Sequence, residues 1–176
     1  MSLGKFMLAA EWIKENISES ASLSDESLSS VSSFTLMWAV FEASESDPIN
    51  NMLTQIQELS SRVANEMPPI DFLDDILKFW QNRYVENNAK GYRFEHLGFA
   101  EVEQENLVFS VLTEQNSNLA EKIHALLLIT YRFRNNLFHG NKDITLLEDQ
   151  IENFKNASLV LQRVMQISRR YLYLGA

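Results

Sequence analysis

Cysteine is absent from the 176 residues. That excludes disulfide scaffolds, cysteine nucleophiles and zinc sites built on thiolates. Three prolines and five glycines leave few places where a helix must stop. The three histidines, His96, His124 and His139, lie far apart and lack ligand spacing, so no metal is expected. No apolar run approaches the ~18 residues of a membrane span, the longest being of the size of Ala125 to Ile129. The first ten residues carry one lysine and then meet Glu11 and Lys14, which is not the pattern of a secretory signal, and the absence of cysteine fits the cytoplasmic location expected here. No glycine-rich phosphate loop and no G-x-S-x-G elbow is present, and no cofactor is expected.

What is present is a globular mix, with 45% hydrophobic and 22% charged residues, in a length that suits one domain. The net charge is −9, unevenly placed. Residues 1–121 carry seven Lys/Arg and twenty Asp/Glu, a balance of −13; residues 122–176 carry eight and four, a balance of +4. The overall field repels phosphate, while the C-terminal third can still offer it a basic face. The alternative is that those cations only solubilise C-terminal helices.

Apolar spacing of three and four predicts helices almost throughout. The first spans Lys5 to Ile17, followed by a serine-rich flexible loop over 19–30. A second helix begins near Ser30 to Ser33 and carries Phe34, Met37, Trp38 and Phe41. A third covers Ile49 to Asn65 and ends at Met67-Pro68-Pro69. A fourth opens at Asp71, and its Asp71, Asp74 and Asp75 read as a solvated first turn that suits the helix dipole rather than as a cation site. Residues 88–100 read as a long connection. Glu101 to Glu114 and Leu119 to about Phe138 are further helices, the latter capped by Ser117 or Asn118 with Glu121 in its first turn. Gly140 is its natural C-terminal glycine. A last helix takes Ile144 to Leu172. The expectation is an all-α, single-domain bundle of five to seven helices over 1–176.

The penultimate helix carries a stripe of Ile123, Leu127, Thr130, Arg134, Leu137 and Phe138. Phe138 is expected in the core. Arg134 sits at a core position and needs a partner there, because a guanidinium keeps its charge. Asn135, Asn136 and His139 complete a polar cluster where the helix should stop. Five residues separate Arg134 from His139, about 140° on the wheel, so they converge only if the helix frays or a second chain contributes. Alone, each has a plain reading: Arg134 pairs with an acid, His139 sits on the helix dipole, the asparagines fray.

The string Tyr131-Arg132-Phe133-Arg134-Asn135-Asn136-Leu137-Phe138-His139-Gly140 resembles the signature of HEPN domains, in which an arginine, usually followed by a polar residue, precedes a histidine by four to six positions. Arg134, Asn135 and His139 match, and RNNLFHG followed by Lys142 is similar to the Apea-like branch. Trp38, Phe41 and Glu42 also resemble the aromatic-plus-acid helix early in such domains. The helical layout matches over about 30–172, the specific motif over about ten residues.

The resemblance implies a homodimeric helical bundle and a metal-independent endoribonuclease, with the two motifs meeting across a twofold axis as one composite site. His139 would be general base or acid near its ordinary pKa of about 6.5. Arg134 would clamp the phosphate and Asn135 orient the substrate or the histidine. The products would carry 2′,3′-cyclic phosphate and 5′-hydroxyl ends, and DNA would not be cut. Arg132, Lys142 and Tyr131 would hold substrate, with Arg163, Arg169 and Arg170 as further backbone contacts. A toxin or antiviral defence role, with a protein inhibitor or activator, is implied as well. One departure concerns control: in toxins paired with a minimal nucleotidyltransferase a tyrosine follows the histidine by two positions, whereas here Gly140 and Asn141 follow. The rival expectations are a non-catalytic helical module binding RNA, nucleotide or a protein partner, and a subunit of a larger hetero-complex.

Overall fold

The helix Leu119–Phe138 (α7) is buried on every side from Ala125 to Thr130. A helix apolar all round belongs in the middle of a bundle, and α7 occupies that place. The computed structural model describes residues 7–20, 22–45, 49–66, 72–114, 116–138 and 144–170. Among them the other α-helices are α1 (Ala9–Asn16), α2 (Asp25–Glu45), α3 (Met52–Glu66), α4 (Phe72–Tyr84), α5 (Tyr92–Glu95), α6 (Val102–Thr113) and α8 (Ile151–Ser168). Two 3-10 turns (Ser18–Ser20 and Ile144–Gln150) and one hairpin (β1, Val85–Glu86; β2, Ala89–Lys90) complete the chain of described elements. The fold is an all-α helical bundle.

Helices α3, α4, α6 and α8 pack on α7, and α2 packs on α8. Lys155 meets Glu26 near the starts of α8 and α2, and Ser168 meets Glu45 near their ends, so these two helices run the same way. Phe34 of α2 and Phe154 of α8 pack at 5.3 Å between ring centroids, and Phe133 of α7 joins them at 6.3 Å from Phe154. Trp80 of α4 stands 6.0 Å from Phe133. Such aromatic contacts add ~0.5–1.5 kcal/mol each beyond area burial. These rings belong to one hydrophobic cluster that draws on every long helix from α2 to α8.

Three boundaries differ from those expected. Residues 25–30 are helix, not loop: α2 begins at Asp25, with the Ser27 amide donating to Ser24 Oγ at 3.0 Å. Inside it Ser30, Ser32 and Thr35 return their hydroxyls to carbonyls three or four residues back, so a serine-rich sequence stays helical. Leu23 and Leu28 are buried beneath this turn. The 88–100 connection is structured. Asn87 and Asn88 hold φ of 50° and 60°, which asparagine tolerates, and close a two-residue turn pairing Val85 with Lys90 and Glu86 with Ala89. Helix α5 follows at once. Finally, the C-terminal helix is a 3-10 turn and then α8, which stops at Ser168 because Arg169 turns left-handed at φ 53°. Met67-Pro68-Pro69, Asp71 and Leu172 lie outside the described residues.

Candidate functional site at the end of α7

Helix α7 starts with a reciprocal cap: the Glu121 amide donates to Asn118 Oδ1 at 3.0 Å, and the Asn118 amide donates to Glu121 Oε2 at 2.8 Å. Its last two turns change character, because Arg132, Arg134, Asn135 and Asn136 replace the apolar run. At about 100° per residue, Tyr131, Arg134, Asn135 and Phe138 fall within an arc of about 100°, while Arg132 and Asn136 share another side. The structure therefore splits the residues that the sequence grouped.

On the first side, Tyr131 is half-buried against Trp38 of α2, with 5.9 Å between rings. Arg134 Nη1 donates to Asn135 Oδ1 at 3.2 Å, and Nη2 lies 3.8 Å from Glu42 Oε1. The Arg134 side chain is 28% exposed and that of Glu42 43%. Arg134 Nε is buried without a hydrogen-bond partner among the described residues. Phe138 is exposed rather than in the core, at 54%, and the guanidinium carbon of Arg134 stands 5.3 Å from its ring centroid. An aromatic face holds a cation without using its donors, so the guanidinium keeps hydrogen bonds to offer an anion.

On the other side, Arg132 Nε donates to the Leu97 carbonyl at 2.9 Å. Burial lowers the Arg132 pKa from its ordinary value, yet a guanidinium stays charged near neutrality. Asn136 is buried and donates to the His96 and Leu97 carbonyls at 3.2 and 3.3 Å. Asn136 does not fray; with Arg132 it pins the segment after α5 onto α7.

His139, Gly140 and Lys142 lie outside the described residues. Arg163 of α8 is exposed and bonded to Gln166, Arg169 is exposed at the helix end, and Arg170 lies 3.9 Å from Glu45. Arg163 and Arg170 already serve local contacts, and the Glu45 partner of Arg170 lies one turn along α2 from Glu42, the partner of Arg134. Burial holds the His124 imidazole below its usual pKa. Among the described residues no three His, Cys, Asp or Glu side chains stand together as a group able to hold a metal ion. No helix among them is long and apolar enough to cross a membrane.

Sequence reasoning grouped Asn136 with the polar cluster but missed what it holds, and it missed the carboxylate of Glu45 altogether. Glu45 is 2% exposed in its side chain, 2.8 Å from Arg62 Nη2 and bonded to Ser168 Oγ. An acid at the last position of a helix, against the dipole, was the available signal.

No protein-family model matches the chain, and neither a curated protein nor a solved structure matches it.

Proposed function

We propose that the chain is a metal-independent endoribonuclease of the HEPN type, acting as a homodimer with a composite site. The observation that carries the reading is the state of Arg134. Its guanidinium is fixed by Asn135 and the Phe138 ring, but its carboxylate partner stands at 3.8 Å and half exposed. That pair is loose enough to be exchanged for a phosphate, which accepts two parallel hydrogen bonds from one guanidinium.

His139 directly follows Phe138 in sequence. Its imidazole takes the proton of a ribose 2′-hydroxyl as that oxygen attacks phosphorus. Arg134 holds the non-bridging oxygens as charge builds on them, and Asn135 orients the group. The P–O5′ bond breaks, an acid protonates the departing oxygen, and a 2′,3′-cyclic phosphate and a 5′-hydroxyl remain. The second copy supplies the other histidine, which suits a self-complementary interface. Such an activity harms its own cell, so a toxin or antiviral role under a protein inhibitor or activator fits it. The Glu42 contact favours a second reading, a non-catalytic helical module, because it half neutralises the cation that the reaction needs.

The deciding experiment offers fluorescent single-stranded RNA and its DNA counterpart in EDTA to wild type, Arg134→Ala and His139→Ala. The expected result is cutting of RNA alone, lost in both variants. RNA left intact by the wild-type dimer, or cut equally by Arg134→Ala, overturns the reading. RNA bound but uncut would leave the module.

A further inference from the structure

Tyr92 is 69% exposed at the start of α5, and its ring packs obliquely on that of His96, with 4.2 Å between centroids and a tilt of 52°. The pair is held rigidly from below. His96 Nδ1 lies 2.8 Å from the Tyr92 carbonyl, and since a carbonyl only accepts, Nδ1 carries a proton and donates it there. Phe94 between them is buried and packs on Tyr84, Phe99 and Phe109. The carbonyls of His96 and Leu97 are fastened to α7 by Asn136 and Arg132. Gly98 then turns away at φ 63°, with Arg132 Nη2 3.5 Å from where a Cβ would stand.

Charge selects the occupant. Among the described residues Lys14, Arg62, Lys90, Lys122, Arg134, Lys155 and Arg170 each face a carboxylate. Among the described residues Arg93, exposed in the same turn, and Arg132 beneath it have no carboxylate within ion-pair distance. Glu95 is exposed beside them, which disfavours a phosphate directly over the turn and offers an acceptor to a base edge. Two solvent-facing rings packed obliquely on a fixed support, with the Arg93 guanidinium at their border and the Arg132 guanidinium below, its Nε held by the Leu97 carbonyl and neither facing a carboxylate, suit the flat face of a base and its flanking phosphates.

We infer that the Tyr92–His96 pair is a stacking site for an unpaired base of single-stranded RNA, with Arg93 and Arg132 on the flanking phosphates. The inference rests on the RNA reading above and adds a subsite on the opposite side of α7 from Arg134. RNA crossing the end of α7 would then be gripped on one side and reach Arg134 on the other.

The test measures anisotropy of a fluorescein-labelled short uridine oligomer in EDTA, using the full chain with His139→Ala so that the probe stays intact. Tyr92→Ala in that background is expected to bind at least about fivefold more weakly, the lower end for one lost stack, with an unchanged melting temperature. Tyr92→Phe should bind like its parent, because the ring and not the hydroxyl stacks. Equal affinity of Tyr92→Ala and parent overturns the inference, as does a Tyr92→Ala effect confined to oligomeric state, which would make this face an interface between copies. The two proposals fail separately. RNA bound through Tyr92 but never cut by wild type sinks the nuclease alone. RNA cut with a KM that ignores Tyr92→Ala sinks the stacking site alone.

Discussion

Arg134 and Glu42 face each other across the α7–α2 seam at 3.8 Å, and neither is fully buried. An ion pair of this kind contributes ~0–1 kcal/mol to stability. On the proposed reading its consequence lies in binding, because Glu42 would compete with a phosphate for Arg134. Two unit charges at about 4 Å in water interact by about 1 kcal/mol, roughly a fivefold effect. Glu42→Gln should therefore tighten RNA binding about fivefold and leave the melting temperature nearly unchanged. Arg134→Ala should lower kcat/KM for RNA about 100-fold or more, as removal of a transition-state donor does. Weaker RNA binding by Glu42→Gln would mean that the carboxylate positions Arg134 rather than competing for it.

Asn136 tells α5 where to sit. Its buried amide serves two carbonyls, and no other side chain except Arg132 reaches that segment in the described hydrogen bonds. Asn136→Ala takes the side-chain donor from the His96 carbonyl, while Leu97 keeps Arg132, at a cost of about 1–3 kcal/mol. For a chain of this size that is a fall of roughly 2–4 °C in Tm per kcal/mol. Hydrogen exchange should accelerate over residues 92–98 more than over α8. An unchanged Tm with uniform exchange would show that packing of Phe94 alone holds the segment.

The all-α bundle was legible because the apolar residues of α3, α6, α7 and α8 recur at helical spacing and glycine and proline are scarce. The serine-rich start of α2 was not, since serine favours turns in isolation; here the hydroxyls bond back along the helix and Leu23 and Leu28 anchor it. Nor was the hairpin, whose sole local cue is the Asn87-Asn88 pair at positive φ. At the site, Arg134 was readable as a cation out of place that needs an acid; that the acid is Glu42 was not. That Arg132 and Asn136 turn away from Arg134 follows from helix phase, but their partners, the carbonyls of His96 and Leu97, lie about 35 to 40 residues earlier. Backbone acceptors leave no mark in a sequence.

Tyr84 predicts an alkaline limit. Its side chain is buried, and desolvation pushes the phenol pKa well above the ordinary 10.0, with Arg83 opposing weakly. A folded-state pKa raised above the unfolded one gives stability that is complete below about pH 10 and is lost as pH rises through the folded value. Wild type should thus lose stability above about pH 10 more steeply than Tyr84→Phe, which has no phenol to ionise. Melting curves between pH 8 and about 11 check this. Parallel pH profiles for the two proteins would show that Tyr84 ionises without unfolding.

Glu45 ties three helices together at one end of the bundle. Its carboxylate, at the end of α2, meets Arg62 of α3 at 2.8 Å, Ser168 of α8 and, at 3.9 Å, Arg170. The burial is one-sided: Glu45 is 2% exposed, Arg62 36% and Arg170 49%. The two arginines can turn to water if the acid is removed, but the acid cannot if an arginine is removed. Arg62→Ala should therefore cost more than Glu45→Gln, about 3 kcal/mol against about 1, because only the first strands a buried charge. Arg170→Ala should cost least, since its contact is long and its side chain half exposed. Replacing the pair together, Arg62→Ala with Glu45→Leu, should recover much of the loss, as an apolar side chain needs no partner. Urea unfolding of the four variants measures the order. If Glu45→Gln proves as costly as Arg62→Ala, the network stabilises through its charge and not merely by sparing a buried carboxylate.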